Sequence, residues 1–198
     1  MRTIIFVLAV FCTASSSAEI HANLNDKSFY KSDIFKVSHE GQQLRMQIFY
    51  EKSSWNNLSY SKIFVKEVSK NTMRYLFPFL KEKKLKKVEC GTRPQLLKIF
   101  VVSFQTLNDR SRFSISSIEN KGVSNSTSIV GYYDPTHYDW NSDSIILTNI
   151  SKTRNNRLLA HEISHYFYNR FCIKTQTLQN TEPFAQEFES YYSKLIGL

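Results

Sequence analysis

Apolar positions in this chain recur at two different spacings, and the spacing changes from segment to segment. From Ser61 to Leu80 they return every three or four residues (Ile63, Phe64, Val65, Val68, Met73, Leu76), which predicts a packed helix ended by Pro78 and the lysine run that follows. Leu96 to Phe104 is a continuous apolar run rich in Ile, Val and Phe, and reads as a buried strand. Two shorter runs, Ser128 to Tyr133 and Ser144 to Thr148, flank the turn-rich stretch Asp134 to Asp139 and predict a hairpin-like pair at a sheet edge. The helical spacing returns from about Thr153 to Phe171 and again from about Thr181 to Ile196, while Asn108 to Thr127 is polar and reads as irregular. Together these predict an α+β fold: a small mixed sheet with an edge strand, packed by an N-terminal helix, a central helix and a C-terminal helix.

The central helix carries the chemistry. His161-Glu162-Ile163-Ser164-His165 sets two imidazoles at i and i+4, on one helical face, with a carboxylate beside the first. At about 100° per residue, His165 falls within about 40° of His161, whereas Leu159, Ile163, Tyr166 and Phe167 gather on the far side. One face is built to pack on a sheet, and the other to present two rings and a carboxylate to a cleft. Two histidines make an incomplete catalytic zinc site, which takes three protein ligands and keeps one position for water.

The third ligand is expected from the last helix, where Glu182, Glu187 and Glu189 are available. With Glu182 as zero, Phe184, Phe188, Tyr191 and Leu195 cluster near ~180° to ~240°, Glu189 falls near ~340° and Glu187 near ~140°, bordering the apolar stripe. Glu182 is favoured because it stands in the first turn, after a Thr181 cap, and Pro183 is tolerated that early. Glu189 and Glu187 are the fallback ligands.

His161-Glu162-Ile163-Ser164-His165, followed by Thr181-Glu182-Pro183-Phe184-Ala185, resembles the glutamate zincins, the zinc metallopeptidases that include thermolysin, the aminopeptidases and lethal-factor-like enzymes. The resemblance covers Leu96 to Tyr192 and implies one Zn2+ ion on His161, His165 and Glu182, with Glu162 as general base. It also implies a peptide or protein substrate laid along the edge strand Ile129 to Tyr133. Tyr132, Tyr133, His137, Tyr138 and Tyr168 are all candidates for a second donor to the developing oxyanion, and the sequence does not choose among them. A proline follows Glu182 where the family usually has glycine or an aromatic, and the third histidine of the metzincins is absent.

Composition adjusts this picture at the margins. The 198 residues include 41% hydrophobic ones, enough for one core, so the expectation is a single domain over 19–198. Arg2, the apolar run Ile4 to Cys12 and the small residues Ser16-Ser17-Ala18 read as a cleaved export signal over 1–18, too short in its apolar run for a membrane anchor. The protein is therefore expected to be secreted or periplasmic. Phe11 before Cys12 argues against lipid attachment, and the remaining cysteines, Cys90 and Cys172, are expected to form a disulfide.

With 26 Lys+Arg against 17 Asp+Glu the net charge is +9, partly concentrated in Lys81 to Lys87. No nucleic-acid motif accompanies that run, so it reads as a solvated helix end, with no nucleic-acid partner expected. Asn57, Asn125 and Asn149 stand in glycosylation sequons, short patterns that recur by accident. Oligomeric state leaves no trace in the pattern. The competing readings are an exported zincin-fold binding protein with weak or no turnover, and a basic adhesin or nucleic-acid-binding module.

Overall fold

The computed structural model describes residues 29–52, 60–85, 96–108, 131–134, 142–148, 150–171 and 181–198. The expected leader at 1–18, Cys90, Cys172, the sequon asparagines Asn57, Asn125 and Asn149, and most of 108–127 lie outside these.

The described strands are β1 Phe29–Lys31, β2 Phe35–His39, β3 Gln42–Glu51, β4 Leu96–Val102, β5 Gly131–Asp134 and β6 Ser142–Thr148. They form one sheet in the order β1-β3-β4-β6-β5, with β2 also paired to β3. β3/β4 and β4/β6 are parallel; the other pairings are antiparallel. This is the mixed sheet that the pattern predicts, and β5 is its edge strand beside β6, in the register Tyr133 to Ile145.

The N-terminal strands β1 to β3 are an addition to the sequence reading, although their signal is present. Phe35 and Val37 alternate with polar residues, as do Leu44, Met46 and Ile48, and all five are buried. Between them Glu40 (φ 47°) and Gly41 (φ 74°) both take left-handed conformations, the two-residue geometry that joins twisted antiparallel strands.

Four helices complete the described fold: α1 Lys62–Glu82, α2 Phe104–Asn108, α3 Lys152–Arg170 and α4 Glu182–Ile196. α1 starts where the Ser61 hydroxyl accepts from the Phe64 N–H at 3.2 Å. It runs through Pro78 instead of stopping there. An interior proline costs about 3 kcal/mol, but burial of Phe79 and Leu80 just beyond it offsets the loss. The apolar run ending in Phe104 is also divided: β4 ends at Val102, and Ser103 turns the chain into α2 by accepting from the Thr106 N–H, which leaves Phe104 exposed.

Alternation gives the sheet two faces. Leu44, Met46, Ile48, Leu97, Ile99, Val101, Ile145 and Leu147 join the large core shared with α1, α3 and α4. Phe29, Phe49, Phe100, Val102, Leu107 and Ile146 form a smaller cluster on the opposite face. α3 presses close to the edge strand: a Cβ built on Gly131 would lie 2.9 Å from Leu147 Cδ2 and 3.1 Å from Leu158 Cδ1. Only glycine fits there without displacing a neighbour. No helix among the described residues is long and apolar enough to cross a membrane.

Candidate metal centre

α3 begins at Ser151, whose hydroxyl accepts from the Arg154 N–H at 3.4 Å, while Asn155 Oδ1 accepts from the Ile150 N–H at 2.9 Å. This fixes the entry into the helix. Leu159, Ile163, Tyr166 and Phe167 are buried against the core, as the helical wheel predicts. The polar face differs from its expectation in one respect. His161 (8% exposed), Glu162 (3%) and His165 (7%) are themselves buried, because α4 packs along α3.

α4 brings Glu182 to the two rings. Its carboxylate oxygens lie 3.5 Å from His161 Nε2 and 3.2 Å from His165 Nε2, and the two Nε2 atoms are 3.2 Å apart. One ligand atom from each of the three residues can be chosen so that all lie within 4.8 Å of one another, a group that could hold a metal ion. The Nε2–Nε2 separation fits a shared ion, because metal bonds of about 2.1 Å in a tetrahedral arrangement place neighbouring ligand atoms about 3.4 Å apart, while the two Glu182 contacts run to different oxygens of its carboxylate. Two imidazoles and one carboxylate are also a known catalytic-zinc combination.

Each of these side chains is held from behind. Glu189 Oε2 lies 3.1 Å from His161 Nδ1; a carboxylate only accepts, so this contact puts a proton on Nδ1 and makes Nε2 the nitrogen that ligates once its own proton is displaced. The Thr181 hydroxyl lies 2.7 Å from His165 Nδ1 and can accept its proton in the same way. Gln186 Nε2 donates to Glu182 Oε1 at 3.0 Å. Thr181 precedes α4 as expected, but its side chain makes no capping hydrogen bond.

The electrostatics favour a cation at the centre. Burial opposes a charge on the His161 ring, but hydrogen bonds to Glu182 and Glu189, with the nearby Glu162 carboxylate, outweigh it and push the ring up to about 10. Hydrogen bonds to His161 and His165 hold the Glu182 carboxyl well below the usual carboxylate range, against the opposing effect of burial. Glu189 is lowered too, first by His161 and, against burial, also by Arg157.

The remaining candidates separate clearly. Glu187 pairs with Lys83 at the end of α1, at 2.7 Å, and takes no part in the group around His161. Glu189 belongs to the surrounding ring of contacts. Its role depends on how α4 crosses α3, which a single helical wheel does not contain.

Among the aromatic candidates, the Tyr133 hydroxyl donates to the buried Asp143 at 3.0 Å while its ring lies parallel to His165, centroids 6.2 Å apart. Tyr168 packs on Phe184, with centroids 4.8 Å apart. The Tyr132 side chain, His137 and Tyr138 lie outside the described residues. Tyr60, which sequence reasoning passed over, is fully buried; burial first, and then the charge of Glu162, raise its phenol above the ordinary tyrosine range. Comparison with known proteins finds no matching family model, no matching curated protein and no matching solved structure.

Proposed function

We propose that this protein is an exported zinc peptidase of the glutamate-zincin type, with His161, His165 and Glu182 as the metal ligands and Glu162 as the general base. The observation that carries the reading is the convergence of the two Nε2 atoms and the Glu182 carboxylate, at 3.2 to 3.5 Å, beside a glutamate on the same helix as the histidines. When bound, zinc supplies a Lewis acid that lowers the pKa of water and polarises a scissile carbonyl.

The remaining work falls to the chain. Glu162 takes the proton of the attacking water and passes it to the leaving amine. Its buried position keeps bulk water from competing for that proton. Glu189 and Thr181 hold the imidazoles in the tautomer that presents Nε2, and Gln186 restrains the Glu182 carboxylate. An extended peptide adds to the side of β5 that pairs with no strand among the described residues, where backbone hydrogen bonds bind it and side-chain pockets select it.

The test is Glu162→Gln in the zinc-loaded protein. This variant is expected to retain one zinc ion and to lose peptide hydrolysis. Undiminished hydrolysis would overturn the assignment of Glu162.

A further inference from the structure

Arg157 and His161 are four residues apart on α3 and share one face, and Glu189 of α4 reaches both. The two oxygens of Glu189 are divided between them. Arg157 Nε and Nη2 both contact Oε1, at 3.0 and 2.8 Å, while Oε2 faces His161 Nδ1 at 3.1 Å.

We propose that Arg157 is a positioning residue for the metal site: by gripping Oε1 it aims Oε2 at His161 Nδ1 and so fixes the ring that would ligate. The inference rests on the metal reading above and adds a residue that the ligand motif does not contain.

A glutamate side chain turns about three bonds, and Glu189 remains 23% exposed, so its contact with one imidazole nitrogen competes with water and with other rotamers. Two N–H groups from one planar guanidinium remove that freedom; a lysine ammonium supplies charge without the fork. Unrestrained, the Glu189 carboxylate would leave Nδ1 part of the time, and the His161 ring would lose the contact that fixes its orientation. Arg157 is 46% exposed, so the ion pair adds little to overall stability. The positioning role thus predicts an effect on the metal without a comparable effect on the fold.

The experiment measures zinc affinity by chelator competition, and the visible absorption of the Co2+-substituted protein, in the wild type, Arg157→Ala, Arg157→Lys, Glu189→Gln and the double variant Arg157→Ala/Glu189→Gln. Arg157→Ala is expected to weaken zinc binding about tenfold, the lower end of the range for lost outer contacts. It is also expected to shift the cobalt bands while leaving the melting temperature of the metal-free protein unchanged. Arg157→Lys should fall between Arg157→Ala and wild type in both readouts, and the double variant should bind no more weakly than Glu189→Gln alone.

Zinc binding by Arg157→Ala as tight as wild type, or tighter, would overturn the proposal. So would a full further loss in the double variant, which would show Arg157 acting independently of Glu189. A wild-type protein that binds no zinc would overturn the metal reading itself, and this inference with it. Normal wild-type binding with an unaffected Arg157→Ala removes only the role of Arg157.

Discussion

The hydroxyl of Thr181 lies 2.7 Å from Nδ1 of His165, and it makes no capping bond to the helix that it precedes. Sequence position points to a helix cap, whereas the geometry points to the candidate metal site. Thr181→Val, which keeps the shape and removes the hydroxyl, is therefore expected to weaken zinc binding by about 10-fold or more. It should not show the roughly 1 kcal/mol loss that removing a capping hydroxyl causes. Thr181→Ser should behave as wild type. Chelator competition and urea denaturation of the metal-free protein check the two halves.

Glu182 and Glu187 are five residues apart on one helix and are expected to behave oppositely. Glu187 makes an exposed ion pair with Lys83, so Glu187→Ala should change stability by no more than about 1 kcal/mol and leave zinc content at one per chain. Glu182→Ala should lose zinc during dialysis, as measured by elemental analysis. Retained zinc in that variant would point to another third ligand.

Gly131 joins the edge strand to the helix that carries His161 and His165 by leaving room for Leu158. Gly131→Val places its Cβ 2.9 Å from Leu147 Cδ2 and adds branches beyond it, which is expected to cost about 1–3 kcal/mol in urea denaturation. An unchanged midpoint would mean that α3 does not sit this close to β5.

Tyr133→Phe keeps the ring beside His165 and removes only the hydroxyl that donates to Asp143. Asp143 is 4% exposed, so losing this donor is expected to cost about 1–3 kcal/mol. Urea denaturation reads this loss directly. Because the ring remains in place, zinc affinity should change little, as chelator competition would show.

Much of the fold was legible because it follows from local periodicity. The helical spacing located α1, α3 and α4 to within about two residues at most ends, and the apolar runs located β4, β5 and β6. The hairpin β2–β3 carries an equally clear alternation around Glu40-Gly41, and the sequence reading passed over it. Pro78 misled because a proline on the exposed side of a well-buried helix can be absorbed, and Phe104 misled because an apolar residue after a strand need not extend it.

At the site, the i, i+4 histidines are a property of one helix and could be read directly. Glu182 could be ranked first from the face and turn it occupies. The contacts from Glu189 to His161 and from Thr181 to His165 depend on the crossing of α3 and α4. No spacing within a single helix encodes that crossing.

The most direct measurement is cleavage of an unbiased peptide library by the wild-type chain, read by mass spectrometry before chelation, after chelation and after zinc is returned. Cleavage is expected to disappear with the chelator, to return with zinc and to be absent in Glu162→Gln at every stage. No cleavage by a wild-type protein loaded with one zinc ion, or cleavage that survives complete metal removal, would contradict the zinc-peptidase reading.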